Sequence, residues 1–496
     1  MTTTTEQITY GNFRRARKVG LYGVPLGALV ALVPLMLLLI AMVSTSHWIG
    51  TAMTLVAMGL LVAPAVLPTR NGRTLYQRLA IRTMHNRAQK QGHTLNVAGP
   101  AGRTPDGKCR LPGLLAPSEL TEHLDSYGNP FGLITLPATK HHTVVIEAHA
   151  TGSESVDQHV IDAEVANWGG WLALLGVEDG VVGASVTVET APDSGLRLRR
   201  MAVGNVVPDA PQFAVAVVEA TTSGTTGAPA ITTRLTITFS GRGGGGVPDR
   251  SGDEVATDIG NRLPGLLDGL RTAGAGSTVR LCSAQDIVDF TRTAYDPAAA
   301  LAIEEARAGE GTHLTWEEAG PIFHHDGFDV YHHDRAVSTS FEMADTPRGI
   351  FYSSVLRRLL ASHRDIERKR VTLLYRPVPN PAEVVEKDIN AEVFGRSGSR
   401  RQTARAEQNE KAARQAAREE AAGAGLIRFG MIVTVSCTDA QQLPKAVRAA
   451  TALFGSARLK MRPALGNQAV AFAAGLPLGV VLPEHTILPT ALRDAL

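Results

Sequence analysis

Cysteine is scarce in this sequence, with three cysteines among 496 residues. Cys109, Cys282 and Cys437 lie far apart and form no Cys-x-x-Cys pair, so they predict neither a disulfide framework nor a zinc site. The Gly-x-Ser-x-Gly and His-Glu-x-x-His patterns of hydrolases are also absent. We therefore expect a protein of a reducing compartment that lacks the common hydrolase centres.

Charged residues are missing from residues 19–69, although they make up 19% of the chain. Two apolar runs, residues 19–43 and 49–67, are separated by Ser44-Thr45-Ser46-His47. A membrane-spanning helix needs roughly 20 apolar residues, so the stretch predicts a transmembrane helical hairpin. Basic residues flank both ends, which places both termini and the remaining chain in the cytoplasm, at the inner or plasma membrane. A signal peptide or a buried helix pair is the alternative.

Acidic residues are almost missing from the first 105 residues, which hold eleven Lys and Arg and one acidic residue, Glu6. The remainder holds 38 basic and 46 acidic residues. The basic end suits an anionic membrane surface, so inner-membrane lipid is an expected partner. A nucleic-acid-binding domain normally carries a basic face, so we expect no direct nucleic-acid binding.

Periodicity divides the chain into five parts. They are a cytoplasmic tail (1–18), the hairpin (19–69), a basic juxtamembrane helix and linker (70–117), a cytoplasmic α+β domain (118–310) and a second α+β domain (311–496). Residues 140–290 follow a β-α-β-β-α-β order with one extra or edge strand, which is the ferredoxin-like, split βαβ pattern. The predicted fold class is therefore α+β, with a transmembrane hairpin before ferredoxin-like cytoplasmic domains. Strands are predicted over residues 213–220 and 469–473 among others.

Two copies of the triplet His-His-Asp lie eight residues apart in the second α+β domain. The candidate metal ligands are His324, His325, Asp326, His332, His333 and Asp334. On a hairpin their same-face members could converge on a divalent metal, because imidazole and carboxylate suit zinc, nickel or iron. No third element adds ligands at a diagnostic spacing, so polar residues at strand ends or in a turn are the preferred interpretation. We predict no metal and no cofactor.

Three other segments superficially match ligand sites. Residues 102–109 fit a Walker A pattern, but Cys109 replaces the magnesium-binding Ser or Thr and Leu111-Pro112-Gly113 blocks the helix that should follow. We interpret the match as chance. Trp168-Gly169-Gly170-Trp171 is either a ligand platform or a pair of anchors that pack a helix on the sheet. The glycine-rich residues 241–246 lack a Lys-Ser/Thr ending and predict a surface loop.

A long polar helix is predicted over residues 382–422, with an interruption near residues 395–398. Its second half is rich in Ala, Arg and Glu and has few large apolar residues. Such a helix is either solvated or meets a partner. If it meets a partner, the candidate contact residues are Arg405, Arg414 and Arg418.

Several passages carry a resemblance to a known family. The charge-free hairpin resembles the small inner-membrane subunit of type IV secretion and conjugation systems. The C-terminal third resembles the amino-terminal domain of their large conjugation ATPase. The passages that carry the second likeness are residues 345–349, 370–377, the Ala/Glu-rich helix leading into 425–429, 468–472 and 476–479. The whole chain thus resembles a fusion of the two found in actinobacterial conjugative elements, although it stops about 17 residues after Gly479, before any motor domain.

The resemblance implies a membrane-anchored scaffold of a type IV secretion-like conjugation apparatus, which is not itself an enzyme. Its implied partners are a hexameric conjugation ATPase encoded separately and other secretion-channel subunits. A homo-oligomeric state is left open. The alternatives are the membrane component E of type VII secretion, which also resembles a two-helix hairpin before an α/β domain, and a membrane-tethered metal-dependent enzyme that uses the His-Asp triplets.

Overall fold

The computed structural model describes residues 8, 10, 26–66, 72–100, 102, 107–150, 152, 156–223, 229–243, 249–276, 278–345, 347, 351–378, 381–386, 414–415, 417–419 and 425–486. These residues fall into two compact units. The smaller unit comprises Arg15–Thr94 and Thr486–Leu496, and the larger one comprises Met1–Arg14 and Leu95–His485.

The described residues of the smaller unit form three helices. They are α1 (Leu26–Ser44), α2 (Trp48–Val66) and α3 (Leu75–Lys90). The turn between α1 and α2 is held by the Thr45 hydroxyl, which donates to the carbonyl of Ala41 at 2.9 Å. α3 begins with a capping box, in which Thr74 and Gln77 each bond to the other's backbone N–H. The predicted juxtamembrane helix thus exists as a helix.

The transmembrane hairpin is a wrong prediction. Among the described residues, no helix combines the length and the apolar character that a membrane crossing requires. The described helices α1 and α2 have 19 residues each. The multi-pass membrane localisation, which rested on this hairpin, is withdrawn with it.

The larger unit is built from short and long strands with helices between them. Its strands are β1 (Leu95–Val97), β2 (Glu119–Leu124), β3 (Pro130–Leu136), β4 (His141–Ala148), β5 (Val181–Pro192), β6 (Pro229–Ser240), β7 (Val279–Leu281), β8 (Phe323–Asp326), β9 (Tyr331–His333), β10 (Ala336–Asp345), β11 (Arg368–Pro377), β12 (Ile427–Cys437) and β13 (Lys460–Pro463). Its helices are α4 (Gln158–Val177), α5 (Leu196–Gly204), α6 (Gln212–Ser223), α7 (Gly252–Thr272), α8 (Ala284–Tyr295), α9 (Ala300–Arg307), α10 (Arg357–Leu360), α11 (Leu443–Ser456) and α12 (Gln468–Ala474).

The thirteen strands found among the described residues belong to one sheet, and each pairing is antiparallel. The order is β1-β8-β9-β10-β12-β11-β5-β6-β4-β3-β2, with β13 beside β10 and β7 beside β4. Within it, β5-β6-β4-β7 and β11-β12-β10-β13 each have the order of a split βαβ unit. The pairing of β11 with β5 joins these two split βαβ arrangements into one sheet. The sheet therefore crosses the domain boundary predicted at residue 310.

Helices cover both faces of this sheet. On the first face, α4 and α7 pack on β4, β5 and β6 through side chains such as Trp171 and Ile259, and α11 packs on β12 through Phe454. On the second face, α8, α12 and residues 475–482 pack on the same strands through Phe290 and Phe472. We call the second face the hydroxyl face, because serine and threonine side chains point from several of its strands.

Some predicted elements have a different structure. Residues 213–220, predicted as a strand, lie in α6, and residues 469–473, also predicted as a strand, lie in α12. Residues 353–360 form a 3₁₀ turn, Ser353–Leu356, followed by α10. Most of the helix predicted over residues 382–422 lies outside the described residues.

Candidate functional site

The two His-His-Asp triplets lie on one hairpin, as the sequence predicts, but they do not meet at one point. In the β8–β9 ladder His324 is opposite His333, and His325 is opposite His332. The first pair is buried, while the rings of the second pair are partly exposed and stacked with centroids 5.9 Å apart. Alternate residues of a strand point to opposite faces, so the four imidazoles are divided between two faces.

His333 has a structural environment. Its Nδ1 lies 2.6 Å from the carbonyl oxygen of Tyr295, and its Nε2 lies 2.7 Å from the hydroxyl of Ser338. Burial lowers the pKa of His333 to about 4, although the bond to Tyr295 acts in the opposite direction. Burial also lowers the pKa of His324 to about 4. Both rings are therefore neutral at physiological pH.

The two aspartates of the triplets bind backbone groups. Asp326 accepts a hydrogen bond from the N–H of Ala469 at 3.0 Å, in the first turn of α12. Asp334 accepts one from the N–H of Phe323 at 2.9 Å and pairs with Arg292 at 2.9 Å. Within the residues that the structure describes, no group of three or more His, Cys, Asp or Glu side chains is positioned to hold a metal ion.

The Walker-like segment lies in a loop that is bound to residues 317–320. Lys108 and Arg110 both pair with Glu317, and the carbonyl of Cys109 accepts a hydrogen bond from the N–H of Gly320 at 2.9 Å. The next helical element is the 3₁₀ turn Gly113–Leu115, so no α-helix follows at the position that phosphate binding requires. Residues 103–106 lie outside the described residues.

The two tryptophans of α4 are packing anchors. Their rings stack with centroids 5.0 Å apart, and Trp168 also meets the ring of Tyr375 on β11 at 5.9 Å. The Trp171 indole donates to the carbonyl of Leu266 on α7 at 3.1 Å. They fix α4 between α7 and the sheet.

Two of the three arginines that are candidate partner contacts lie among the described residues. Arg414 and Arg418 are helical and exposed. Arg405 lies outside the described residues. Of the glycine-rich loop, residues 241–243 are described and residues 244–248 are not.

The hydroxyl face carries paired side chains that the sequence analysis missed. Ser185 and Thr236 lie 2.7 Å apart across the β5–β6 ladder, and Thr143 and Thr238 lie 3.0 Å apart across β4–β6. Similar pairs join β5 to β11, through Thr187 and Thr372, and β10 to β12, through Ser340 with Thr434 and Ser338 with Ser436. The signal was present in the sequence as hydroxyl residues alternating with Val, Ile or Leu in these strands.

Ion pairs lie on the hydroxyl face toward one end of the strands. Glu189 accepts hydrogen bonds from Arg368 at 3.0 Å and from Arg370 at 3.2 Å. Burial would raise the pKa of Glu189, but these arginines and Arg234 outweigh it and lower the pKa to about 2. Glu147 similarly pairs with Arg234 at 3.3 Å and with a second arginine on β7. These charges are paired across neighbouring strands and hold the sheet register.

Residues 475–482 cross the hydroxyl face and enclose a groove. The Thr372 hydroxyl donates to the carbonyl of Gly475 at 2.6 Å, and the Thr238 hydroxyl donates to that of Gly479 at 3.4 Å. Gly479 has φ +73°, and a Cβ there would overlap the hydroxyl of Thr143. Only glycine therefore allows this close crossing.

The groove lies between this segment and strands β5, β6, β11 and β12. Its volume is about 250 Å³. Leu374, Leu476 and Val480 supply apolar walls, while Arg376 and Arg428 line it from neighbouring strands. No comparable cavity could be predicted from the sequence, because its walls come from segments more than 200 residues apart.

Comparisons with known proteins add no family assignment. The sequence matches no protein-family profile and no curated protein. Function must therefore be argued from the folded chain itself.

Proposed function

We propose that this chain is a non-catalytic scaffold of a type IV secretion-like conjugation apparatus and that it docks a separately encoded ATPase. One observation carries the proposal: passages of the C-terminal third that resemble the conjugation ATPase, although far apart in sequence, adjoin one another in the fold. Residues 370–377 form most of β11, which pairs with β12 from Arg368↔Ser436 to Pro377↔Ile427. α12 and residues 476–479 lie over these two strands.

The contacts among these passages are specific. Thr372 of β11 bonds to Gly475 at the end of α12, and Ile432 of β12 shares a buried cluster with Phe472 and Leu478. The adjoining positions therefore support a common domain with the ATPase's amino-terminal region. The passage at residues 345–349 is mostly outside the described residues.

A scaffold role also accounts for the groups that suggest catalysis in the sequence. Lys108 of the Walker-like segment pairs with Glu317, and His333 bridges Tyr295 and Ser338. Each group thus has a structural partner inside the fold. ATP hydrolysis, in this proposal, belongs to the partner.

The docking contact is assigned to the polar helix that contains Arg414 and Arg418, both exposed. An acidic surface on the ATPase would bind there. Exposed ion pairs contribute roughly 0.5 kcal/mol each and are screened by salt. Reversing three arginines should therefore weaken binding about tenfold at low ionic strength, and less at high ionic strength.

The test is capture of a separately encoded conjugation ATPase from the same organism. The immobilised full chain should bind it, and a variant with Arg405→Glu, Arg414→Glu and Arg418→Glu should bind it about tenfold more weakly. The matched control is Arg448→Glu, because Arg448 is exposed on α11. Equal capture by the triple variant would place the contact elsewhere, and no capture by the unmodified chain would overturn the scaffold role.

A further inference from the structure

The four histidines of the β8–β9 hairpin have two kinds of surroundings. His324 and His333 are buried, and both ring nitrogens of His333 lie within hydrogen-bond distance of protein oxygens. His325 and His332 are half-buried, so solvent reaches both rings. Among the described residues, neither of these two rings makes a side-chain hydrogen bond, and each contacts the other. Their nitrogens are therefore available to a ligand.

The strand register places His325 and His332 side by side. They are directly opposite each other in the β8–β9 ladder, so both side chains point to the same face of the sheet. The residues that flank them in the neighbouring strands are apolar: Leu95 of β1 is opposite His325, and Val337 of β10 is opposite His332. The two imidazoles are thus the polar groups in an otherwise apolar row across four strands.

The distance between the two rings fits a metal ion held between them. A zinc–nitrogen bond is about 2.1 Å long, and an imidazole nitrogen lies about 1.1 Å from its ring centroid, so two rings that share one ion have centroids at most about 6.4 Å apart. The centroids of His325 and His332 are 5.9 Å apart. The rings are tilted by 28°, and rotation about the broad χ2 torsion aims one nitrogen of each at a common point.

The chemistry of the pair selects the kind of ion. Burial, followed by the charge of His325, lowers the pKa of His332 from its ordinary value, which favours the neutral ring that a metal requires. Neutral imidazoles suit nickel, copper and zinc, whereas magnesium and calcium prefer oxygen ligands. Asp326 and Asp334 do not compete for this role, because each accepts a hydrogen bond from a backbone N–H.

We propose that His325 and His332 bind one divalent transition-metal ion of the nickel, copper and zinc group. The two imidazoles supply two ligands, and water occupies the remaining positions. The bound ion links β8 to β9 across the sheet and stabilises the hairpin, because it binds the folded chain and not the separated strands. This site goes beyond the scaffold role and does not depend on it.

Zinc binding to the full-length protein, first freed of metal with a chelator, tests the proposal. Isothermal titration calorimetry with zinc chloride is carried out on the unmodified protein, on His325→Gln and on His332→Gln. The matched control is His159→Gln, because His159 is exposed on α4, away from the hairpin. Circular dichroism and thermal unfolding without metal confirm that each variant is folded.

A second measurement needs no variant. Diethyl pyrocarbonate modifies accessible neutral imidazoles, and mass spectrometry identifies which histidines have reacted. The unmodified protein is treated with this reagent in the presence and in the absence of zinc. A metal-bound nitrogen cannot react, so zinc should protect the two rings that bind it.

The proposal predicts a zinc site whose affinity falls at least about tenfold in His325→Gln and in His332→Gln, while His159→Gln binds like the unmodified protein. Zinc should slow the modification of His325 and His332 at least about tenfold and leave that of His159 unchanged. An affinity that is unchanged in both variants, or that falls in only one of them, would overturn the shared site. Modification of the two rings at the same rate with and without zinc would also overturn it.

Discussion

Glu189→Gln is expected to be among the most damaging polar substitutions in the sheet. Glu189 lies between Arg368 and Arg370 at 3.0 and 3.2 Å, and the Arg370 side chain is 3% exposed. Glutamine has almost the same shape but no charge. The substitution would leave a buried guanidinium without its counter-ion, which is costly in a low-dielectric environment.

The magnitude follows from the pKa. The carboxyl of Glu189 has a pKa of about 2, against an ordinary value of 4.5. At about 1.4 kcal/mol per pH unit, this difference corresponds to roughly 3 kcal/mol of unfolding free energy at neutral pH. Because the folded-state pKa is lowered, the contribution is complete above about pH 4.5 and is lost as the pH falls toward 2.

Urea unfolding of the unmodified protein and of Glu189→Gln, from pH 7 down to pH 3, measures this contribution. The difference should be roughly 3 kcal/mol at pH 7 and should shrink below pH 4.5. Adding Arg370→Met to Glu189→Gln should recover part of the loss, because it removes the unpaired charge. Glu342→Gln, whose pair with Arg462 at 2.7 Å is partly exposed, is the control and should cost less than about 1 kcal/mol.

Two results would refute this reasoning. One is a loss for Glu189→Gln no larger than that of the control, because the pair would then contribute no more than a surface ion pair. The other is a loss that stays constant down to pH 3, because it would arise from packing and not from charge.

Gly479→Ala should destabilise the protein by roughly 2 kcal/mol or more in urea unfolding, since the residue has φ +73° and a Cβ would overlap the hydroxyl of Thr143; an unchanged midpoint would contradict the close crossing. The His333 ring should stay neutral down to about pH 5 in an NMR titration, because burial lowers its pKa to about 4. Because the pKa of His333 is lowered, the protein should also lose stability as the pH falls from about 6.5 toward 4, since only the unfolded state then binds the proton. A pKa near 6.5 for His333 in the folded protein would contradict this prediction. Iodoacetamide should label Cys109 before Cys282, because Cys109 is partly exposed while burial raises the pKa of Cys282 to about 12; the reverse order, read by mass spectrometry, would show that Cys282 is accessible.

Much of the sheet could be predicted from the alternation of apolar residues. β4, β5, β6, β11 and β12 all lie where that pattern indicates strands, and α7 and α11 lie where helical periodicity indicates helices. The failures are short apolar runs rich in alanine and valine. Residues 213–220 and 469–473 both read as strands, but both are helical, because a short apolar run does not distinguish a strand from a helix by periodicity.

The membrane prediction failed for a related reason. Absence of charge describes composition, whereas spanning a membrane depends on the length and apolar character of each helix, and no described helix meets both requirements. The continuity of the sheet could not be predicted from the sequence either. It depends on the pairing of β11 with β5, which lie almost 200 residues apart, and no local pattern specifies such a partner.

The candidate site could also be predicted only in part from the sequence. The sequence placed the His-His-Asp triplets on a hairpin, but the register decides that His324 faces one way with His333 while His325 faces the other with His332. The groove depends on the register that sets Arg376 opposite Arg428 and on the crossing at Gly479.

Size-exclusion chromatography of two purified proteins, this full chain and a conjugation ATPase from the same organism, tests the scaffold role most directly. The mixture should elute as a stable complex, and ATP turnover should be found in the ATPase but not in this chain alone. Separate elution at micromolar concentrations and low salt, or ATP turnover by this chain that is lost in Lys108→Ala, would contradict it.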